Sequence, residues 1–118
     1  MTVLNEVNSL PHLLDSLVEQ TRVPDQIVVC DGGSSDGTLE LLRRERRLGL
    51  RVMQRPGANI SQGRNAAIEA AEGDVIAVTD AGVRLRSQWL EEITAPLKDQ
   101  AVHAVGGAFV AVSQTAFE

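Results

Sequence analysis

Apolar residues in this chain follow two spacings that take turns along it. Leu10, Leu13, Leu14, Leu17 and Val18 fall at i, i+3, i+4, i+7 and i+8, the stripe of an amphipathic helix, and Pro24 closes that segment. Residues 26–30 are a β-branched run, which predicts a strand buried on both faces. A strand stub over residues 2–4 precedes them. Residues 38–48 read as a second helix, with Ser35 or Asp36 as N-cap and Gly49 as the stop. A short strand follows at 50–54, then an alanine-rich helix at 61–71 closed by Gly73. Residues 74–79 hold Val75-Ile76-Ala77-Val78 and predict another strand. Ser87 caps a helix through Leu97, with Pro96 in its last turn. A final strand pattern covers 101–112, broken by Gly106-Gly107.

Strands alternating with helices predict an α/β fold, a mostly parallel sheet with helices on both faces, in one domain over residues 1–118. Crossovers in such sheets are right-handed, and ligands sit beyond the carboxyl ends of the strands. Two loops fall there, residues 31–37 and 80–86. The first strand is a stub and the last has no closing helix, so a fragment of a larger domain is expected.

Composition narrows this picture. The 118 residues are 43% apolar but only 3% aromatic, with no Tyr, so the core must be aliphatic. Cys30 is the one cysteine, which excludes an internal disulfide and fits a reducing compartment. No apolar run approaches the roughly 20 residues of a membrane span, and no signal peptide is seen, so a cytoplasmic location is expected. The net charge of −5 argues against nucleic acid as a partner. It leaves room for an anionic small molecule held by a few arginines and helix N-termini. Arg43, Arg44, Arg46 and Arg47 read as a solvated helix face.

The strand-end loops carry the candidate chemistry. Val28, Val29 and Cys30 deliver Asp31 to the end of a strand. Gly32 and Gly33 let the backbone turn sharply and admit a flat ligand close by. Ser34, Ser35 and Asp36 are placed to cap the next helix. Asp31 has two readings: a carboxylate that ties its own loop, or an acceptor for a base N–H or a ribose hydroxyl. Asp80 ends the strand pattern of 74–79 and precedes small Ala81 and Gly82. Gly63, Arg64 and Asn65 fall in the first turns of the alanine-rich helix. Arg64 is either a surface arginine or a fork of donors for a phosphate, aided by the helix dipole. His12 and His103 have no partner in view and read as surface or satisfied side chains.

Taken in order, these stretches resemble glycosyltransferase family 2, the inverting sugar-nucleotide transferases of GT-A fold. The resemblance rests on Leu4-Asn5-Glu6, on Leu10 to Leu17 with Ser16 leading to Gln20-Thr21, and on Asp31-Gly32-Gly33-Ser34-Ser35-Asp36-Gly37-Thr38. It continues through Gly63-Arg64-Asn65 with Ile68, and Gly73-Asp74 followed by Asp80-Ala81-Gly82. It implies the nucleotide-sugar-binding half of a glycosyltransferase, with a truncated, Rossmann-like GT-A fold. By resemblance, Asp31 contacts the base within the Gly33 turn, and Thr2, Asn5 and Glu6 line the nucleotide pocket. Arg64 and Asn65 lie near the ribose or phosphates, and Asp80 faces ribose or metal.

The chain departs from the family at Gly82, where relatives carry a metal-binding carboxylate. Asp80 is then the one metal ligand, for Mg²⁺ or Mn²⁺ completed by phosphate and water, unless Arg84 or Arg86 supplies positive charge instead. The implied function is transfer of a sugar, with inversion, from a nucleotide-diphosphate donor to a glycan or lipid-carrier acceptor. Cell-envelope or exopolysaccharide synthesis, at the cytoplasmic face of the membrane, is the implied setting. No residue here is a candidate general base, so whether this stretch is active alone stays open. The alternative is a non-catalytic nucleotide-binding fragment or pseudoenzyme. A phosphate-signalling domain would bring a strand-end lysine, and none precedes Lys98. A sheet edge bared by missing strands gives the expectation of a homo-oligomer.

Overall fold

The computed structural model describes residues 1–108 and 110. Three short strands, β1 (Thr2–Val3), β2 (Val28–Asp31) and β3 (Arg51–Gln54), form a parallel sheet in the order β1-β2-β3. The register sets Val3 beside Asp31 and Asp31 beside Gln54, so all three strands end level. The helices are α1 (Leu10–Val18), α2 (Thr38–Arg44), α3 (Ile60–Ala70) and α4 (Trp89–Thr94), and α4 runs into a 3₁₀ turn, Ala95–Lys98. No helix among the described residues is long and apolar enough to cross a membrane.

The centre of the sheet is β2, with all of its residues buried and its side chains alternating between two faces. Val29 packs with Leu10, Leu13, Leu14 and Leu17 of α1 and Leu42 of α2. On the other face, Val28 and Cys30 meet Ala67 of α3. Helices on both faces of a parallel sheet are therefore what is found, and the continuous β-branched run is the imprint of that double burial.

Small residues bring α3 against the sheet. A side-chain carbon at Gly63 would collide with the Thr2 hydroxyl, which donates to the Cys30 carbonyl at 3.2 Å. Gly63 and Ala67, one turn apart, are the buried residues of α3. The helix starts one residue before the expected point because Asn59 caps it. Its side chain accepts from Gln62 N at 2.8 Å, and the Gln62 side chain accepts from Asn59 N at 3.0 Å.

Four expectations are corrected. First, α2 ends at Arg44 rather than at residue 48. Glu45 turns extended there, and its carboxylate accepts from Arg47 N at 2.7 Å and from the Arg47 guanidinium. Second, residues 74–79 do not join the sheet. The edge offered by β1 is two residues long, too short to template a longer strand. Val75, Ile76 and Val78 consequently stay 52%, 41% and 41% exposed. Third, no strand occurs at 101–108 or 110, and positions 109, 111 and 112 lie outside the described residues. Fourth, the last helix divides, with Pro96 inside the 3₁₀ turn rather than in a frayed α-turn.

The tight contact under Gly63 yields a stability prediction. Gly63→Val should lower unfolding free energy by about 1–3 kcal/mol through overpacking against Thr2, read as a shift of the urea midpoint at constant slope.

Candidate functional site

The level ends of the strands gather half of the candidate residues, Asn5, Glu6, Asp31 and Gly33. Asp31 is the best buried of them, at 1% exposure. Its Oδ2 accepts from the backbone N–H of Gly33 and of Ser34, each at 3.0 Å. Its Oδ1 is shielded from solvent and has no hydrogen-bond partner. The loop-tying reading therefore holds for one oxygen, and the other has no partner within the protein. Gly33 has φ 105°, a left-handed value that L side chains rarely adopt. Gly32 does another job. Its N–H donates to Val3 O at 2.9 Å and its carbonyl accepts from Gly57 N at 3.1 Å, which knits the three strand ends together.

The loop after β1 is zipped to the loop after β2. Asn5 takes the left-handed region at φ 52°, which asparagine tolerates better than most residues. Its N–H donates to Ser34 Oγ and its Oδ1 accepts from Ser35 N, both at 2.9 Å. Glu6 N donates to Thr38 Oγ1 at 2.9 Å, and Val7 N to Asp36 Oδ2 at 3.2 Å. The Glu6 carboxylate turns back to the Ser9 hydroxyl. The N-cap of α2 is Gly37, with φ 98°, rather than Ser35 or Asp36; the Asp36 side chain, one residue earlier, accepts Thr38 N at 3.0 Å. Thr2 sits lower, between Cys30 and Gly63.

Arg64 and Asp80 meet each other, with Nη2 to Oδ1 at 2.9 Å and side chains 38% and 61% exposed. No hydrogen bond or ion pair among the described residues joins either of them to Asp31. Asn65, next to Arg64 in sequence, points elsewhere because successive residues diverge by about 100° around a helix. It lines an open polar groove of about 590 Å³ with Gln54, Arg55, Gly57 and Gln62. The larger hollow, about 640 Å³, lies between α3, residues 74–79 and α4; it includes Met1 and Arg64 but not Asp31. Arg86 is drawn toward Glu92, at 3.9 Å.

A cluster of buried polar groups, unassigned by sequence reasoning, holds the Asp80 loop in place. The Gln20 side chain donates to Ser16 O at 3.0 Å and Arg86 O at 2.7 Å, and accepts from Leu90 N at 2.9 Å. Ser16 Oγ accepts from Leu85 N at 3.2 Å, and Thr21 N donates to Ser87 O at 2.8 Å. The signal was available: Ser16 and Gln20 continue the buried side of α1 at helical spacing, and a polar group there needs a partner.

The donor set does not fit a resident divalent cation. Among the described residues no three His, Cys, Asp or Glu side chains converge. Gly82 has no ligand atom, and one oxygen of Asp80 is taken by a guanidinium.

A model of the family described as Glycosyl transferase family 2 matches residues 1–118. Chondroitin synthase of Pasteurella multocida (strain Pm70) is 32% identical over 78 residues, 64% of this chain and 8% of that protein. Glycosyltransferase AglE of Haloferax volcanii is 29% identical over 112 residues, 89% of this chain and 36% of that protein. The crystal structure of S. aureus TarS 1–349 aligns with a TM-score of 0.75 at 26% identity, covering 95% of this chain and 37% of that one. The same protein in complex with UDP gives 0.71 at 26% identity, over 95% and 38%. The chain thus spans well under half the length of each of these proteins.

Two predictions follow from the local chemistry. The Thr38 hydroxyl, with the Thr38 and Val7 amides, holds the Asp36 carboxylate below its usual range. That stabilisation is complete above about pH 4, the ordinary aspartate value, and is lost as pH falls through the lowered folded-state value. Asp36→Asn should lower the urea midpoint at neutral pH and flatten its decline in acid. Cys30 is fully buried, and burial pushes its thiol above the ordinary range. It should ignore an aromatic disulfide reagent in native buffer and react with one equivalent in denaturing urea.

Proposed function

The chain belongs to glycosyl transferase family 2, and we propose on that premise that it is the donor-binding part of an inverting glycosyltransferase. The level strand ends receive a nucleoside diphosphate-sugar. Asp31 Oδ1 accepts an N–H of the base at the Gly33 turn. Thr2, Asn5 and Glu6 support this rim through the bonds they make beneath and across it. Arg64, Asn65 and Asp80 lie to either side and take the diphosphate and the ribose.

The observation that carries this reading is the open oxygen of Asp31, on a side chain only 1% exposed. A buried acceptor left unpaired costs about 1–3 kcal/mol, and a donor brought by a ligand recovers it. The UDP complex of TarS supports a nucleoside diphosphate as that ligand.

In the transfer, the acceptor hydroxyl attacks the anomeric carbon of the sugar. The bond from that carbon to the diphosphate oxygen breaks, and its electrons stay on the departing nucleoside diphosphate. The hydroxyl proton passes to a base outside the residues assigned here. The chain's own share is to hold and orient the donor, with Arg64 setting positive charge beside the oxygen that gains electrons. The likeness to chondroitin synthase supports a role in polysaccharide synthesis, with a glycan or lipid carrier as the acceptor we propose. The free cysteine Cys30 supports a cytoplasmic site of action. Gly82 favours a second reading, a module that binds the nucleotide without turning it over.

Calorimetry of the intact protein with UDP, GDP and dTDP tests the proposal. At least one should bind, and Asp31→Asn should weaken it by about 10- to 100-fold with an unchanged circular dichroism spectrum. Failure of all three to bind ends the proposal. Release of nucleoside diphosphate from the matching donor in the presence of a glycan acceptor separates the enzyme from the binding module.

A further inference from the structure

We infer that this protein holds the donor's diphosphate with Arg64 in place of a divalent cation, so that nucleotide binding is independent of metal. The inference rests on the donor-binding reading above and concerns what neutralises the phosphates there. Enzymes of this family commonly use a divalent metal. Three observations here point the other way.

The first is the ligand set. The Asp80-Ala81-Gly82 turn carries a single carboxylate, and among the described residues no group of three His, Cys, Asp or Glu side chains gathers around it. The gap is chemical rather than steric. A side-chain carbon at Gly82 would meet nothing within 4 Å, and its φ lies outside the left-handed range. Glycine is therefore not demanded by the backbone or by crowding.

The second is what Asp80 does with its charge. Its Oδ1 accepts from Arg64 Nη2 at 2.9 Å. A cation arriving at this carboxylate would meet a guanidinium already there, and would have to displace it or share the carboxylate with a like charge.

The third is what Arg64 has left. Of its five N–H donors, one is used by Asp80; Nε and Nη1 make no hydrogen bond among the described residues. Arg64 leaves α3 directly after Gly63, whose contact with Thr2 fixes the helix against β1. A planar fork anchored on one side and open on the other suits bidentate contact with phosphate oxygens. Asp80 is thus a positioning residue that orients Arg64. Arg86, turned toward Glu92, is not so placed.

Calorimetry with UDP in buffer containing EDTA and in buffer containing Mn²⁺ decides the matter. The intact protein should bind UDP with dissociation constants equal within about twofold in the two buffers. Arg64→Gln should lose at least about tenfold in EDTA, with Arg64→Lys recovering part of it. Gly82→Asp, which the open space admits, should become sensitive to Mn²⁺, binding UDP at least about tenfold tighter with the ion than without. Native protein that binds UDP tenfold tighter in Mn²⁺ overturns the inference while leaving the donor-binding reading intact. A Gly82→Asp variant as indifferent to Mn²⁺ as the native chain also overturns it, because Asp80 would then not face the diphosphate. Absence of UDP, GDP and dTDP binding in both buffers removes the donor-binding reading itself, and this inference with it.

Discussion

The Asp31 carboxylate is shut away from water at the end of a strand that is covered on both faces, and its charge has to be met by whatever backbone lies next to it. The Gly33 and Ser34 amides meet it, which requires the chain to fold back at once. That turn needs a left-handed residue at Gly33 and brings Gly32 between Val3 and Gly57. The shape of the sheet's upper rim thus follows from the electrostatics of a single group. So does the spare acceptor oxygen, because two amides bind one oxygen and leave the other buried without a partner.

A second set of buried polar contacts holds the far side of the site. Ser16 and Gln20 lie on the buried side of α1, and they fasten residues 85–90 to it. The bonds to Leu85 and Leu90 are buried, where a missing partner is costly and a satisfied one selects a single arrangement. The loop bearing Asp80 is therefore suspended from a helix on the opposite face of the sheet from α3, which bears Arg64. The ion pair between them closes that circuit over the edge of β1.

Much of this architecture can be read from the chain alone, where local and tertiary preferences agree. The leucine stripe of α1 and the β-branched run of β2 are correct to within a residue or two, because each pattern records burial directly. Asp31 stood out for the same reason: a charge after three buried aliphatic positions has few places to go. Residues 74–79 have the composition of a strand and are not one, since pairing depends on a neighbouring edge that no local pattern encodes. Arg64 and Asn65 look like a unit in sequence, yet a helix sends them to different hollows. The bond between Arg64 and Asp80 spans 16 positions and leaves no periodic trace. Gln20 was visible as a residue, but its partners 66 and 70 positions away were not.

The bonds that run from Asn5, Glu6 and Val7 to Ser34, Ser35, Asp36 and Thr38 make one lip out of two loops that are about 30 positions apart. Each loop supplies both donors and acceptors to the other, so neither keeps its shape alone. Every one of these bonds sets a side chain against a backbone amide, so losing the side chain of Asn5, Ser34, Asp36 or Thr38 strands an amide on the facing loop. Across descendants of this chain, those four side chains should vary far less than Glu6 and Val7, whose amides serve whatever residue carries them.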